Sequence, residues 1–478
     1  MGLTGFGQIE TTDPARAMTP APILVTLQVY ERLTGLDADG LPIPSLARTW
    51  EHSRDLREWK FDLRPGVRFH SLGQAAPGRL LTPNDVKASL DRAARMPGYP
   101  QGVLVGLVEG AAEVAAGRTR SINGISTSDS SVTFTLTRPF RFLPEHLAAS
   151  FFGTVPDDTS TEVGAALLGT GPYHLMEWNP RTGRVLLGRF EGYWGDASPD
   201  APSRIEVIPI ESQGVAVEEL RTGNIDWLEA PLIASRALQA AAVATPRLTV
   251  ETVPSSTIRF LAANAKREPF ASNPTLLRAL NLGTDRPALV ATLGGGVPLE
   301  GPLPSSPGLP FDPGAARRLV SALPGAARRF DVLVEPSPES RILAQALHAQ
   351  WATLGIDIRL QAGLPDWVDR LVSGDFTAAS IFFGPFAATD EQYLWMYDSR
   401  GQPVPNLMRY ENSAFDDAYR TYVSLPGSDT HREQAVRELL ARPPVVWLLG
   451  VPSVTASAGR IRIPRAQMNP AFQLARVS

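Results

Sequence analysis

Strand and helix signals alternate along this chain, and that alternation is what most restricts the folds open to it. Thr82-Pro83-Asn84-Asp85 has the form of a helix start, with a hydroxyl cap, a proline at the first helical position and an acid in the first turn. That helix continues through Val86 and Leu90. A second helix is expected from Glu339 to Leu354, with Ile342, Leu343, Ala346 and Leu347 on one face and Gly355 as a left-handed terminator. The strand Ile356 to Leu360 follows directly. Arg204 to Ile210 and Phe330 to Val334 also read as strands, and helices such as Asn273 to Leu280 lie between such runs. The pattern predicts an α/β fold of sheets covered by helices.

At 478 residues the chain is several times the usual domain size of about 100 to 150 residues, so two or more lobes are expected. Its 40 glycines and 43 prolines are dispersed as turn punctuation. There is no internal repeat and no long linker, so any division must come from topology. The net charge is only −4, with 45 basic and 49 acidic residues well mixed, which does not suit a polyanion or a membrane surface as partner. No nucleic-acid partner is expected. The absence of cysteine excludes disulfides, thiolate catalysis and Cys-ligated metal. The first residues, MGLTGFGQIETTDPARAM, lack the basic start and apolar core of a signal peptide, and no stretch approaches the roughly 20 apolar residues of a membrane helix.

Several motifs could be taken for chemistry. Gly169-Thr170-Gly171-Pro172-Tyr173 lacks the third glycine of a dinucleotide loop and the lysine of a phosphate loop, so it reads as a tight turn entering a strand. Phe61, Leu63, Val67 and Phe69 alternate with polar neighbours as one buried strand face would. His70 beside them reads as a local hydrogen-bonding residue, since the six scattered histidines offer no close pair for a metal. Tyr193-Trp194-Gly195 reads as a packing corner, and Glu218-Glu219 as a solvated helix face. There is no GxSxG elbow and no HExxH, and an enzyme is not expected. No cofactor, catalytic residue or metal site is implied.

The stretches around Pro44 to Trp50, Phe61 to His70, Gly169 to Trp194 and Ile258 to Asp285, taken in order, carry a resemblance. They read PIPSLARTWEHSRDLREWKFDLRPGVRFH with LTPNDVKASLDR, then GTGPYHLMEW with RFEGYWGDASPDAPSRIEV, then TIRFLAANAKREPFASNPTLLRALNLGTDR. Together they resemble the signature stretches of the dipeptide, oligopeptide and nickel class (family 5) of extracellular solute-binding proteins, the capture subunits of ABC importers.

The resemblance implies a two-lobed periplasmic-binding-protein fold with a hinge-closing cleft. Lobe I would hold residues 1–252 and 447–478, with an extra subdomain at about 40–165, and lobe II residues 253–446. The crossings would fall near Glu251 to Ser256 and Val445 to Ser453. It also implies export to the periplasm or cell exterior, with or without a lipid anchor, so Met1 is read as a start placed after a removed signal. A monomer working with importer permease subunits is expected.

The pocket implied by the resemblance draws on two stretches. Phe382 to Asp398 would follow a strand at the cleft and place an aromatic at Phe383, while the position of the Asp that holds a peptide's ammonium carries Phe386. Asp390 is the candidate substitute, and Phe382 and Tyr393 would add to an aromatic floor. On the opposite wall the backbone-pairing segment aligns with Met18, Thr19 and Pro20, where the proline removes one amide donor. Tyr99 is a further candidate. A small peptide or peptide-like solute ranks first as cargo, ahead of an oligosaccharide, an opine-like compound or a metal chelate. An accessory role in sensing solute or holding unfolded chains is the alternative of another class.

Overall fold

The computed structural model describes residues 1–4, 8–37, 39–71, 78–158, 168–253, 255–384, 389–402 and 404–459. These residues form two compact units. One comprises 1–253 and 453–459, the other 255–384 and 389–452.

The first unit is built on a seven-stranded sheet in the order Thr249–Val253, Ser453–Ser457, Trp227–Ala230, Gly2–Thr4, Arg204–Ile210, Arg184–Arg189, Tyr173–Asn179. Gly2–Thr4 runs parallel to both its neighbours, and the other pairs are antiparallel. One core joins Val185, Leu187, Val207 and Trp227 of the sheet to Ala21, Val25 and Val29 of the helix Pro20–Val29. The spacing of four residues keeps those three helical side chains on one stripe.

The same unit holds a four-stranded antiparallel sheet in the order Ala47–His52, Glu58–Leu63, Ser131–Thr135, Ile125–Thr127. The helix Pro83–Ala94 packs on it. The start of that helix is where Thr82 and Asp85 predict it: the Asp85 carboxylate accepts both the Thr82 amide at 2.7 Å and the Thr82 hydroxyl at 2.8 Å. The single strand face expected over Phe61 to Phe69 is broken. The strand ends at Leu63, and Gly66, at φ 79°, reverses the chain in a conformation that a side chain would oppose. Val67 and Phe69 are still buried, but from a loop.

In the second unit a six-stranded sheet runs Val297–Pro298, Val445–Gly450, Ile258–Ala263, Ala378–Phe383, Arg329–Val334, Asp357–Ala362. Its last three strands are parallel, and the first two of the chain among them are joined by the helix Pro338–Ala352. Ser337 caps that helix by accepting the Ser340 amide at 3.2 Å, and Gly355 beyond its end adopts φ 83°. Trp351, Trp447 and Phe260 are fully buried around this sheet.

Candidate functional site

In the second unit, chemistry gathers at the carboxyl ends of the parallel strands Arg329–Val334 and Ala378–Phe383. Register places Phe382 opposite Arg259 and Phe383 opposite Ile258, so the two phenylalanines point to opposite faces. Phe382 is half-buried, and the Arg259 guanidinium lies 5.8 Å from its ring centre. Phe383, at 6% exposed, belongs to the core of the other face.

Arg259, only 7% exposed, joins a strand end to a helix start. Its Nη1 donates to Glu335 Oε2 at 3.2 Å and Ser340 Oγ at 2.8 Å, and its Nη2 to Glu339 Oε2 at 2.7 Å. The Ser340 hydroxyl donates in turn to Glu335 at 2.7 Å. Glu335 follows the strand directly, while Glu339 and Ser340 sit in the first turn of Pro338–Ala352. One guanidinium therefore serves two carboxylates. Sequence reasoning missed this cluster. The available signal was Arg259 itself, the one charge in IRFLAA, a strand buried at every position.

Of the residues expected at the cleft, Asp390 opens the helix Asp390–Trp395 and pairs with Arg432 at 2.5 Å, raising that arginine's pKa. Tyr393 is buried and donates its hydroxyl to the Ser256 carbonyl at 2.7 Å, and burial with the Asp390 charge pushes its pKa up. Phe386 lies outside the described residues.

In the first unit, Met18 is exposed and Thr19 precedes the helix Pro20–Val29, its hydroxyl donating to Glu10 at 3.0 Å. The segment is a helix start, not a strand. Pro20 stands at the first helical position, where a missing amide hydrogen leaves no helical bond unmade. Tyr99 opens the helix Tyr99–Leu107 and is half-buried, with its hydroxyl pKa pushed up to about 12 by desolvation.

The motifs that resemble binding loops are structural in this unit. Glu31, 2% exposed, accepts from Trp194 Nε1 at 2.5 Å, the Tyr193 hydroxyl at 3.1 Å and the Thr170 hydroxyl at 3.2 Å. Burial pushes its carboxyl up to about 7 against those three bonds and the Arg32 charge. A side chain on Gly169 would meet the Val29 carbonyl oxygen at 1.9 Å, which explains a glycine there better than phosphate binding does.

His70 completes the arrangement. Its Nε2 lies 2.8 Å from the Gly171 carbonyl and its Nδ1 accepts the Gly169 amide at 3.3 Å, a pairing that only the neutral ring can make. Burial lowers its pKa to about 4. Because this lies below the unfolded value of about 6.5, the unfolded chain binds the extra proton first, and stability is present above pH 6.5 and lost as pH falls to about 4. A loss of about 3 kcal/mol is expected across that window from this residue alone. Urea unfolding of the parent and His70→Gln at about pH 7 and pH 5 checks it: equal pH slopes in the two proteins would contradict the assignment.

Among the described residues no group of His, Asp or Glu is arranged to hold a metal ion, and no helix is long and apolar enough to cross a membrane. The family model described as "Bacterial extracellular solute-binding proteins, family 5 Middle" matches residues 42–403. A glutathione-binding protein, GsiB, of Pectobacterium atrosepticum is 28% identical over 326 residues, a match covering 64% of this chain and 58% of that protein. The chain thus spans less than two thirds of that relative's length. The structure of the periplasmic binding protein AgaA from A. tumefaciens R10, in complex with agropinic acid, superposes with a TM-score of 0.81 at 19% identity, covering 100% of this chain and 98% of that one. DppA from Helicobacter pylori, in complex with the peptide STSA, also gives 0.81, at 18% identity and with 100% and 97% covered. Both likenesses establish the periplasmic-binding-protein fold.

Proposed function

This chain belongs to the bacterial extracellular solute-binding proteins of family 5, and from that premise we propose that it captures a small peptide or peptide-like solute and delivers it to the permease of an ABC importer. The observation that carries the reading is the family match over residues 42–403. The solute would be enclosed between lobe I, residues 1–252 with 447–478 and the subdomain near 40–165, and lobe II, residues 253–446. Rotation would be absorbed near Glu251 to Ser256 and Val445 to Ser453. A closing cleft excludes water, so each polar contact to the solute counts for more, and solute favours the closed state by the contacts made only there. No chemistry on the cargo is part of this reading. Export with removal of a leader, and a monomeric receptor, go with it.

Met18, Thr19, Pro20 and Tyr99 would line the lobe I wall, and Phe382, Phe383, Phe386, Asp390 and Tyr393 the lobe II wall. Phe382 is the better placed of the adjacent pair, since Phe383 is committed to the core. Asp390 would have to exchange Arg432 for a solute ammonium. That competition, with Phe386 at the aligned acid position, is what keeps an opine-like solute as the second reading, and the likeness to an agropinic acid complex supports its inclusion.

A thermal-shift screen of ligand-free protein against di- to pentapeptides, opines, oligosaccharides and metal chelates tests the proposal. A solute at 100 times its Kd adds about 2.7 kcal/mol to stability, so a concentration-dependent rise with peptides is the expected result. A rise confined to another class replaces the peptide by that class. No rise with any of them defeats the capture reading.

A further inference from the structure

The seven-stranded sheet of the first unit carries an acid with no role so far. Glu229 is next to last in the strand Trp227–Ala230, at the carboxyl end that it shares with its parallel neighbour Gly2–Thr4. Ligands of α/β sheets are bound outside such ends. Register sets Glu229 opposite Thr455, and Thr455 opposite Glu251, so three side chains form one rung across three adjacent strands. On the same face Trp227 is buried in the core with Ala21, Val25 and Val29. Glu229 lies where that apolar face ends.

Its surroundings are unusual for a carboxylate. Glu229 is half-buried and has no hydrogen bond or ion pair among the described residues. Thr455 is 5% exposed, and its hydroxyl also has no partner among them. Among the described residues, the elements packed against the strand bring no cation to it. Ser453–Ser457 offers hydroxyls, the helix Pro20–Val29 has no ionisable residue, and the next strand adds only Glu251, two strands away at roughly 10 Å. The helix Gln213–Thr222 carries Glu218, Glu219 and Arg221, of which the first and last pair with each other. The Met1 ammonium responds to Asp226 and Glu206. Desolvation alone pushes the Glu229 carboxyl up to about 7. An acid held this way gives the folded chain no pairing energy, and Gln would fill the place at less cost in charge burial.

We propose that Glu229, with the Thr455 hydroxyl beside it, receives the cationic group of the solute, an ammonium or a guanidinium. The inference rests on the solute-capture reading and narrows its cargo to compounds that carry such a group. One carboxylate and one hydroxyl supply the acceptors that a cation with several N–H donors needs, and Glu251 adds a second negative charge along the rung. The cation converts a destabilising carboxylate into a paired one, so its binding expels the proton that Glu229 holds at lower pH.

Calorimetry on the full chain and on Glu229→Gln, with trialanine and N-acetyl-trialanine as probes, tests this between about pH 5.5 and 7, where the peptide ammonium stays mostly protonated. Expected for the parent is binding of trialanine that strengthens as pH rises through that range. Glu229→Gln should lose at least about tenfold in affinity and become insensitive to pH. Thr455→Val should weaken trialanine less, and none of the changes should alter N-acetyl-trialanine. Equal trialanine affinity in parent and Glu229→Gln, or a loss shared by the acetylated peptide, overturns the proposal while leaving solute capture intact. If neither peptide binds the parent, the peptide reading fails instead. Methylguanidinium and ethylammonium then decide the present inference: a pH-dependent difference between parent and variant supports it, and equal behaviour overturns it. Unfolding by urea shows whether each variant is folded, and Glu229→Gln should match or exceed the parent in stability above about pH 7, since a carboxyl with a raised folded pKa loses stability as pH rises.

Discussion

Replacing Arg286 with alanine is expected to cost the second unit on the order of 4 kcal/mol, among the larger effects of a single substitution. The side chain is 1% exposed, and among the described residues no carboxylate lies within ion-pair distance, although the charge of Glu300 acts on it from further away. Its Nε donates to the carbonyls of Leu299 at 2.7 Å and Trp447 at 2.9 Å. Its Nη1 reaches those of Asn281 at 3.2 Å, Thr284 at 3.4 Å and Leu309 at 3.1 Å, and its Nη2 the Asn281 Oδ1 at 3.0 Å. Asn281 in turn donates to the Val445 carbonyl at 2.8 Å and accepts the Trp447 amide at 3.3 Å. One planar cation thus ties the strand Val445–Gly450 to the loop between Leu299 and Leu309. Alanine takes a donor from every one of these acceptors in a dry site, leaving Asn281 with only the Trp447 amide at its Oδ1 and the Thr284 amide at its carbonyl, and opens a cavity as well. Lysine keeps the charge but cannot reach acceptors on several sides at once, so Arg286→Lys should recover only part of the loss. Urea unfolding measures both, and an Arg286→Ala protein within about 1 kcal/mol of the parent would show that the loop rearranges to satisfy its own carbonyls.

Arg259→Ala ranks next, at about 3 to 5 kcal/mol near neutral pH. Without the guanidinium, Glu335 and Glu339 face each other in a site with little water, and only the Ser340 hydroxyl remains to Glu335. The loss is one of unpaired charge more than of volume. Adding Glu335→Gln and Glu339→Gln to the variant should therefore return most of the stability, although each change alone removes a hydrogen-bonding partner. If the triple variant is no more stable than Arg259→Ala, repulsion between the carboxylates is not the cause, and the packing of Arg259 against Phe382 is.

The two arginines differ in how far they could be read beforehand. Arg286 stands in the segment ending NLGTDR, part of what marks the chain's resemblance to solute-binding proteins, and its hydrogen bonds give that motif a purpose in the fold. Arg259 stands in the same segment as a lone charge among apolar residues, yet nothing nearby in sequence indicates Glu335 or Glu339. Asp390 is legible in the sequence as an acid but not as one already paired, because Arg432 comes 42 residues later. Glu229 passed unnoticed in TGNIDWLEA, since neither its lack of a partner nor its place beside Thr455 can be seen from its neighbours in the chain.

What the sequence determined by itself is the alternation of strand and helix, several element ends and the family. The Thr82–Asp85 cap, the strand Arg204–Ile210 and the helix before Gly355 each depend on steric and hydrogen-bonding preferences acting over a few residues, which a short stretch of sequence carries complete. Tertiary structure alone decided which carboxylates are paired, which one is left bare, and which of Phe382 and Phe383 turns into the core. Charge pairing and desolvation depend on what lies within a few ångströms in space, and for these groups that neighbourhood is assembled from strands and helices far apart in the chain.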